Sequence, residues 1–147
     1  MPAPGEVWRH AAFYADANTG APLTKHLLVL AIRPDRDIVY RLLTSQQYHR
    51  TSSPACCHDG DRPGYYLGIP QPGGILWKET WLDLRELEED YDALAFSKLA
   101  AAGQLSHIHT FSSAELCPAL LCAAYAQDTT SAQKRHIMKT RADLKCP

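Results

Sequence analysis

The chain has 147 residues, of which 46% are hydrophobic and 21% are charged, and its formal net charge is −1. This is the composition of an ordinary globular domain, and it excludes a disordered or collagen-like chain. The longest strongly apolar run, residues 27–32, is far shorter than the roughly 20 residues of a membrane span. The N-terminus lacks a basic start followed by an apolar run, so we expect neither a secretory signal nor a membrane partner.

The first half of the chain has the short apolar segments that are typical of β-strands. A segment over 5–14 is followed by a turn-rich connection over 15–22 and by the apolar run over 26–32. A charged turn at 33–37 leads to a strand over 38–43, so the last two strands are predicted to form a hairpin.

The middle of the chain is less regular. Residues 47–64 show no hydrophobic period and are predicted to form a long loop. A short strand is predicted over 65–69, and one more over 75–82 with a charged interruption at 78–79. Frequent short strands favour a small, strongly bent antiparallel sheet or barrel, because closure removes exposed sheet edges.

The second half changes to helical periodicity. Leu84, Leu87, Tyr91 and Leu94 recur at helical spacing among acidic residues, and this predicts a helix with a solvated acidic face that ends at Gly103. A short strand is then expected before the next helix.

That strand is predicted over 104–108 and the following helix over 113–125. Ser112 and Glu115 have the spacing of a capping box, in which two side chains satisfy exposed helical N–H groups. Pro118 removes one backbone hydrogen bond and is expected to bend the helix.

Charge is distributed unevenly along the chain. Residues 1–133 carry 10 Lys and Arg against 15 Asp and Glu, whereas the last 14 residues have a net charge of +4. We predict one domain over 1–130 followed by a loosely held, polar basic tail over 131–147. Because no strong basic field covers the body, a polyanion site would have to be a local groove.

The five cysteines predict neither a disulfide framework nor a metal site. Their number is odd and no signal peptide indicates an oxidising compartment. Cys117 and Cys122 lie in an apolar run and are expected to be buried as small hydrophobic residues. Cys56, Cys57 and His58 are interpreted as a polar loop, because adjacent cysteines rarely bind one metal; a zinc site is the alternative.

Short motifs follow one another in a fixed order over 5–126. They are Gly5-Glu6-Val7-Trp8, residues 24–30 (TKHLLVL), residues 42–46 (LLTSQ), residues 75–87, and residues 103–106 followed by the capped helix over 112–125. In order and spacing they resemble the PemK/MazF-like toxins of bacterial toxin–antitoxin systems.

This resemblance implies an α+β, mainly β fold: an SH3-like small antiparallel barrel with a C-terminal helix and peripheral short helices. It implies a cytoplasmic homodimer that cleaves single-stranded RNA with sequence selectivity and without a metal or other cofactor. The implied partners are single-stranded RNA and a cognate antitoxin protein, whose extended tail covers the RNA groove.

Metal-free RNA cleavage needs a cation for the charge that develops on the phosphate and groups that move protons. Lys25 is the candidate cation, and His26 is the candidate acid or base. Thr44 and Ser45 are expected to position a phosphate, or alternatively to cap a turn. Because side chains alternate along a strand, Lys25 and His26 are expected on opposite faces, and His26 has the alternative role of a core or interface residue.

Three further residues are candidates for substrate binding, namely Gln46, Trp8 and Arg41. The tryptophans Trp8, Trp77 and Trp81 have the ring surface that stacks on bases, although tryptophan in a short strand also fits a core position.

One departure from the family motif supports an alternative function. The second strand of the family usually begins with Arg-Pro, whereas this chain has Lys25-His26, and lysine lacks the planar fork that grips phosphate. The alternative is an inactive SH3-like barrel that binds protein or nucleic acid. A third class, a Cys/His hydrolase built on Cys56 or Cys57, has less support, and the sequence contains no G-x-S-x-G, P-loop or H-E-x-x-H motif.

Overall fold

The computed structural model describes residues 2–47, 49–85 and 90–147. Its strands pair antiparallel in one seven-stranded sheet of order β4-β5-β6-β3-β2-β1-β7, so the fold is α+β and mainly β. In chain order the elements are β1 (Glu6–Ala15), β2 (Pro22–Ile32), β3 (Ile38–Thr44), β4 (Cys56–Cys57), β5 (Gly64–Gly68), β6 (Thr80–Asp83), α1 (Ala93–Ala101), β7 (Leu105–Thr110), α2 (Ser113–Ala124) and α3 (Ser131–Asp143).

The sheet is open and does not close into the predicted barrel. Strands β4 and β7 lie at its two ends and, within the part of the chain that the structure describes, do not pair with each other. The edges are protected in another way, because β4 is only two residues long and packs against α2, while β7 packs against α1. The edges of the open sheet are therefore protected from pairing with another chain by their short length and by packed helices, and not by closure into a barrel.

Apolar side chains are buried on both faces of the sheet. On one face, Leu28 and Leu82 pack with Leu120 of α2 and Ile137 of α3. On the other face, the smaller cluster includes Leu27, which neighbours Leu28 in the chain, together with Phe96 of α1. Burial on both faces explains why residues 27–32 are apolar throughout rather than alternating.

The structure confirms the predicted helix near the C-terminus and corrects the one before it. Helix α2 begins at Ser113, and both hydrogen bonds of the capping box between Ser112 and Glu115 are formed. Helix α1 begins only at Ala93, after the N-cap Asp92, whereas a helix starting near Leu84 was expected. Leu84 instead follows β6 and is fully buried in the sheet core. Leu87 and the neighbouring glutamates lie outside the described residues.

The predicted strand over 75–82 is correct only in its second half. Residues 71–76 form a turn in which the Gln71 N–H donates to the Leu76 carbonyl at 2.9 Å and the Leu76 N–H donates to Gln71 Oε1 at 3.2 Å. Gln71 also donates from Nε2 to the Ile108 carbonyl on β7 at 2.9 Å. A side-chain hydrogen bond therefore ties the segment before β6 to the strand at the far edge of the sheet.

Most of the basic tail predicted over 131–147 forms helix α3, which ends at Asp143 and packs against the core, so the expectation of a loosely held segment is wrong. Helix α3 starts at a capping box formed by Thr130 and Gln133. Ile137 is fully buried against the core, and Gln133 and Arg141 are buried as well. Sparse apolar residues hid this helix in the sequence, because one buried isoleucine and several buried polar groups form its inner face.

Four of the five cysteines form disulfides, which contradicts the prediction of free thiols. Cys56 is bonded to Cys122 and Cys117 to Cys146, and Cys57 is free. The expected burial of Cys117 and Cys122 is confirmed, since both are at most 7% exposed. The odd number of cysteines does not exclude disulfides, because two disulfides can form while one thiol stays unpaired.

Candidate functional site

A pocket of about 320 Å³ opens at the ends of β2 and β3. Its described lining residues come from three segments, 24–26 of β2, 43–46 at the end of β3, and 75–78 with Thr80 before and at the start of β6. The volume lies at the lower end of the roughly 300–1,000 Å³ that is common for small-ligand sites. Five candidates from the sequence are among the lining residues, namely Lys25, His26, Thr44, Ser45 and Gln46.

The strand register explains how residues far apart in sequence meet here. His26 of β2 is paired with Leu43 of β3, and Leu43 is paired on its other side with Leu82 of β6. If this antiparallel register is continued by one residue, Lys25 of β2 lies opposite Thr44 of β3. The pocket wraps around these strand ends, so alternate side chains from both faces contribute to it.

His26 lies in the pocket wall without a hydrogen-bond partner for Nε2 among the described residues, although that atom is buried. Burial, and next the positive charges of Arg9 and Lys25, lower the pKa of His26 below the usual 6.5. Arg9 is the residue paired with His26 across β1 and β2. The imidazole is therefore neutral at neutral pH and has the protonation state of a general base.

The lowered pKa of His26 predicts a pH-dependent stability. Below the ordinary pKa of 6.5 the unfolded chain takes up a proton that the folded chain does not, so the free energy of unfolding falls as the pH is lowered. We expect the loss between about pH 7 and about pH 5 to be smaller in a His26→Gln variant. Urea denaturation at both pH values checks this; an equal loss in both proteins would contradict it.

The hydroxyl groups at the end of β3 are partly used by the backbone. Thr44 Oγ1 accepts a hydrogen bond from the Gln46 N–H at 3.2 Å, which is the turn-capping arrangement considered from the sequence. The Thr44 hydroxyl proton is still available to donate to a ligand oxygen. Ser45 and Gln46 are exposed beside it.

The third wall of the pocket adds positive charge and an aromatic surface. Lys78 Nζ lies 5.1 Å from the centre of the Trp77 ring, and Trp77 is 58% exposed. The described lining residues include Lys25 and Lys78 and no carboxylate, so the pocket suits an anion. Lys78 is not among the candidates predicted from the sequence, because its segment is interpreted there as part of a strand. The aromatic–basic pair after the Gly73-Gly74 turn is the signal that indicates it.

Two of the substrate-binding candidates lie outside the pocket. Arg41 is only 2% exposed, and its guanidinium donates to the Gln133 side chain of α3 at 3.0 Å and to the Tyr40 carbonyl. Trp8 is partly buried, with its ring 5.0 Å from that of Phe96. Both residues support the packing of helices on the sheet.

The remaining tryptophan, Trp81, is 3% exposed and donates to the Thr51 carbonyl. Of the three tryptophans, only Trp77 therefore offers an open ring face at the pocket.

The Cys/His hydrolase alternative loses one nucleophile, because Cys56 is bonded to Cys122.

Comparison with known proteins adds no relative. No protein-family model matches the chain, and neither a curated protein nor a solved structure matches it. None of the helices in the described ranges is both long and apolar enough to cross a lipid bilayer.

Proposed function

We propose that the protein is a metal-independent endoribonuclease that cleaves single-stranded RNA in this pocket, as the PemK/MazF-like toxins do. One observation carries the proposal. Lys25 and Thr44, which come from different strands, line one pocket together with a neutral His26 and without a carboxylate. A cation, a hydroxyl donor and a proton acceptor at one anion-compatible site are the groups that the reaction uses.

The reaction follows from these groups. The neutral His26 imidazole takes the proton of an RNA 2′-hydroxyl at Nδ1, because Nε2 is buried, and the 2′-oxygen attacks the adjacent phosphorus. The ammonium of Lys25 stabilises the negative charge that develops on the phosphate oxygens, and the hydroxyl of Thr44 donates to one of them. The P–O5′ bond breaks and the leaving oxygen takes a proton from solvent. The products are a 2′,3′-cyclic phosphate and a 5′-hydroxyl.

Binding of single-stranded RNA is supported by the third wall. An open tryptophan ring stacks on a base of any sequence, and a lysine beside it attracts the backbone phosphate. Trp77 and Lys78 supply this pair next to the reacting groups. A duplex base would first have to leave its stack, so the arrangement favours single strands.

The proposal extends to the partners and setting of such toxins. It includes a homodimer, a cytoplasmic location and a cognate antitoxin whose extended tail covers the pocket. The exposed Ile75 and Trp77 give that tail an apolar contact surface beside the lysines. A reducing cytoplasm keeps thiols unpaired, so in that compartment Cys56 and Cys122 are expected in the reduced form.

One observation favours a second candidate, a binding module without catalysis. Among the described residues that line the pocket, His26 is the single group that ordinarily titrates near neutral pH, so a general acid is not paired with the base. This module would bind RNA in the same pocket and release it uncut.

The test uses the purified full-length protein, a labelled single-stranded RNA of mixed sequence, and a chelator. We expect fragments with 5′-hydroxyl ends from the wild type, and at least about tenfold slower cleavage by Lys25→Ala and by Thr44→Ala, because each removes a contact to the reacting phosphate. Lys139→Ala is the matched control, since Lys139 is exposed on α3 and pairs with Asp143.

An RNA with 2′-deoxy substitutions lacks the attacking hydroxyl and cannot be cleaved, so it measures binding alone. Together with cleavage of the normal RNA, this measurement separates the two candidate functions. Cleavage of the normal RNA supports the nuclease. Binding without cleavage by the wild type supports the binding module and contradicts the nuclease. If the protein neither binds nor cleaves the RNA, both candidate functions are contradicted.

A further inference from the structure

A second cluster of reactive side chains lies where β4 meets α2, and none of its members is among the described residues that line the pocket. Cys56 on β4 and Cys122 on α2 are bonded, with their Cα atoms 5.7 Å apart. His58 Nε2 lies 3.4 Å from the sulfur of each cysteine. The three ligand atoms lie within 4.8 Å of one another, and the group is partly buried.

We propose that Cys56, His58 and Cys122 form a redox-controlled zinc site, which binds Zn²⁺ when the disulfide is reduced. Two thiolates and one imidazole are a ligand set that zinc prefers. The inference is independent of the proposed nuclease activity.

The distances already suit a tetrahedral ion. Bonds of about 2.3 Å to sulfur and about 2.0–2.1 Å to nitrogen place a ligating nitrogen about 3.5 Å from each ligating sulfur. The distance from His58 Nε2 to each sulfur is 3.4 Å, close to this value. Once the S–S bond is broken, side-chain rotation is enough to separate the two sulfurs, since the backbones are held together by the packing of β4 on α2.

Strand alternation selects which cysteine belongs to the site. Cys56 and His58 are two residues apart and point to the same side, whereas Cys57 between them points to the other side. The Cys57 sulfur lies near the Asp59 carbonyl, at 3.9 Å, and outside the cluster. Three protein ligands leave the fourth zinc position to a water molecule, as in sites with an open position.

Conversion of the disulfide form into the zinc form needs a two-electron reductant. A phosphine reductant supplies two electrons and becomes the phosphine oxide, with its oxygen and the protons of the two cysteine thiols coming from one water molecule. A dithiol reductant supplies two electrons and two protons and becomes a disulfide. Binding of Zn²⁺ then releases both thiol protons. In the disulfide form His58 Nε2 lies 2.8 Å from the Cys122 carbonyl, so it carries the proton there; this proton moves to Nδ1 when Nε2 binds zinc.

The proposed site would keep β4, at the edge of the sheet, linked to α2 in both redox states. The disulfide links the two elements under oxidising conditions, and zinc links them under reducing conditions. The other disulfide, Cys117–Cys146, has no such alternative, because the described residues contain no third metal-binding side chain beside it.

The test is to reduce the full chain with a phosphine under anaerobic conditions, remove the reductant and titrate with Zn²⁺, or with Co²⁺ as a spectroscopic probe. We expect one ion per chain, thiolate-to-cobalt charge-transfer bands typical of two thiolates, and a higher Tm of the reduced protein with zinc. Before reduction, the oxidised protein is expected to bind no ion at this site.

Zinc binding by single-residue variants tests which side chains bind the ion. His58→Ala is expected to keep the disulfide and the oxidised fold, and after reduction to bind zinc at least about tenfold more weakly. Cys57→Ser and Cys117→Ser are the matched controls and are expected to bind like the wild type. Circular dichroism of each reduced protein shows whether it is folded.

Four results would each overturn the proposal. The first is a reduced wild type that binds no zinc at micromolar concentration. The second is a reduced wild type that remains unfolded with zinc present. The third is unchanged affinity in His58→Ala. The fourth is a loss in Cys57→Ser as large as that in His58→Ala.

Discussion

Substitution of His26 by glutamine is expected to slow RNA cleavage by about 10²–10⁴-fold, the range that a general base contributes. Glutamine keeps a polar side chain of similar size but accepts no proton at neutral pH. Since Nε2 of His26 makes no hydrogen bond to another described residue, the substitution removes no hydrogen bond of that atom. The measurement is a single-turnover cleavage rate at saturating enzyme.

The pH dependence of the same rate gives an independent check. Burial, Arg9 and Lys25 lower the pKa of His26 below the ordinary 6.5. The wild-type rate is therefore expected to rise with pH at acidic values, with the midpoint of this rise below the ordinary histidine pKa. The residual activity of the His26→Gln protein is expected to lack this acidic limb.

His107→Gln is the matched control for His26→Gln. His107 is an exposed histidine on β7, and its Nε2 lies near the His109 carbonyl and the Thr110 hydroxyl rather than the pocket. It is expected to cleave like the wild type. Equal rates in wild type and His26→Gln would exclude His26 as the base, whereas equal losses in both histidine variants would indicate a structural effect.

The double substitution Cys56→Ser and Cys122→Ser is expected to lower the free energy of unfolding by about 4 kcal/mol under oxidising conditions. The two cysteines are 66 residues apart, and the chain-entropy relation gives about this value for a loop of that length. Such a loss is a large part of the roughly 5–15 kcal/mol that stabilises a typical domain. Urea denaturation in the presence of a chelator measures it without a contribution from metal.

Cys57→Ser is the control for that measurement. Cys57 neighbours Cys56 on β4 but is unpaired, so its replacement is expected to change the stability by less than about 0.5 kcal/mol. Wild-type protein treated with reductant and chelator is expected to lose at least as much stability as the double variant, because its second disulfide opens too. A double variant as stable as the oxidised wild type would show that the bond contributes nothing to stability.

The parts of the fold that were predicted correctly depend on local physics. Strand β3 and helix α2 were placed to within one residue, because turn residues bound the first and a capping box begins the second. The pocket residues on β2 and β3 were also selected from the sequence. Their proximity required only that the two strands form a hairpin, which the charged turn at 33–37 indicates.

The errors concern contacts between distant segments. No local pattern reveals that Cys122 lies beside Cys56, or that Gln133 of α3 binds the Arg41 guanidinium. Helix α3 was missed for the same reason, since its inner face buries polar groups whose partners lie elsewhere in the chain. The interpretation of the sheet as a closed barrel failed because helices α1 and α2 cover its edges, and that covering is a tertiary feature.

The Gln71 side chain joins parts of the protein that are separated by most of the width of the sheet. It holds the turn that precedes Trp77 and Lys78 while donating to the main chain of β7, three strands away from β3. A displacement of β7 is thus expected to shift the pocket wall that carries Trp77. If the pocket binds RNA as proposed, substitutions along that outer strand are expected to change its affinity without contacting the RNA.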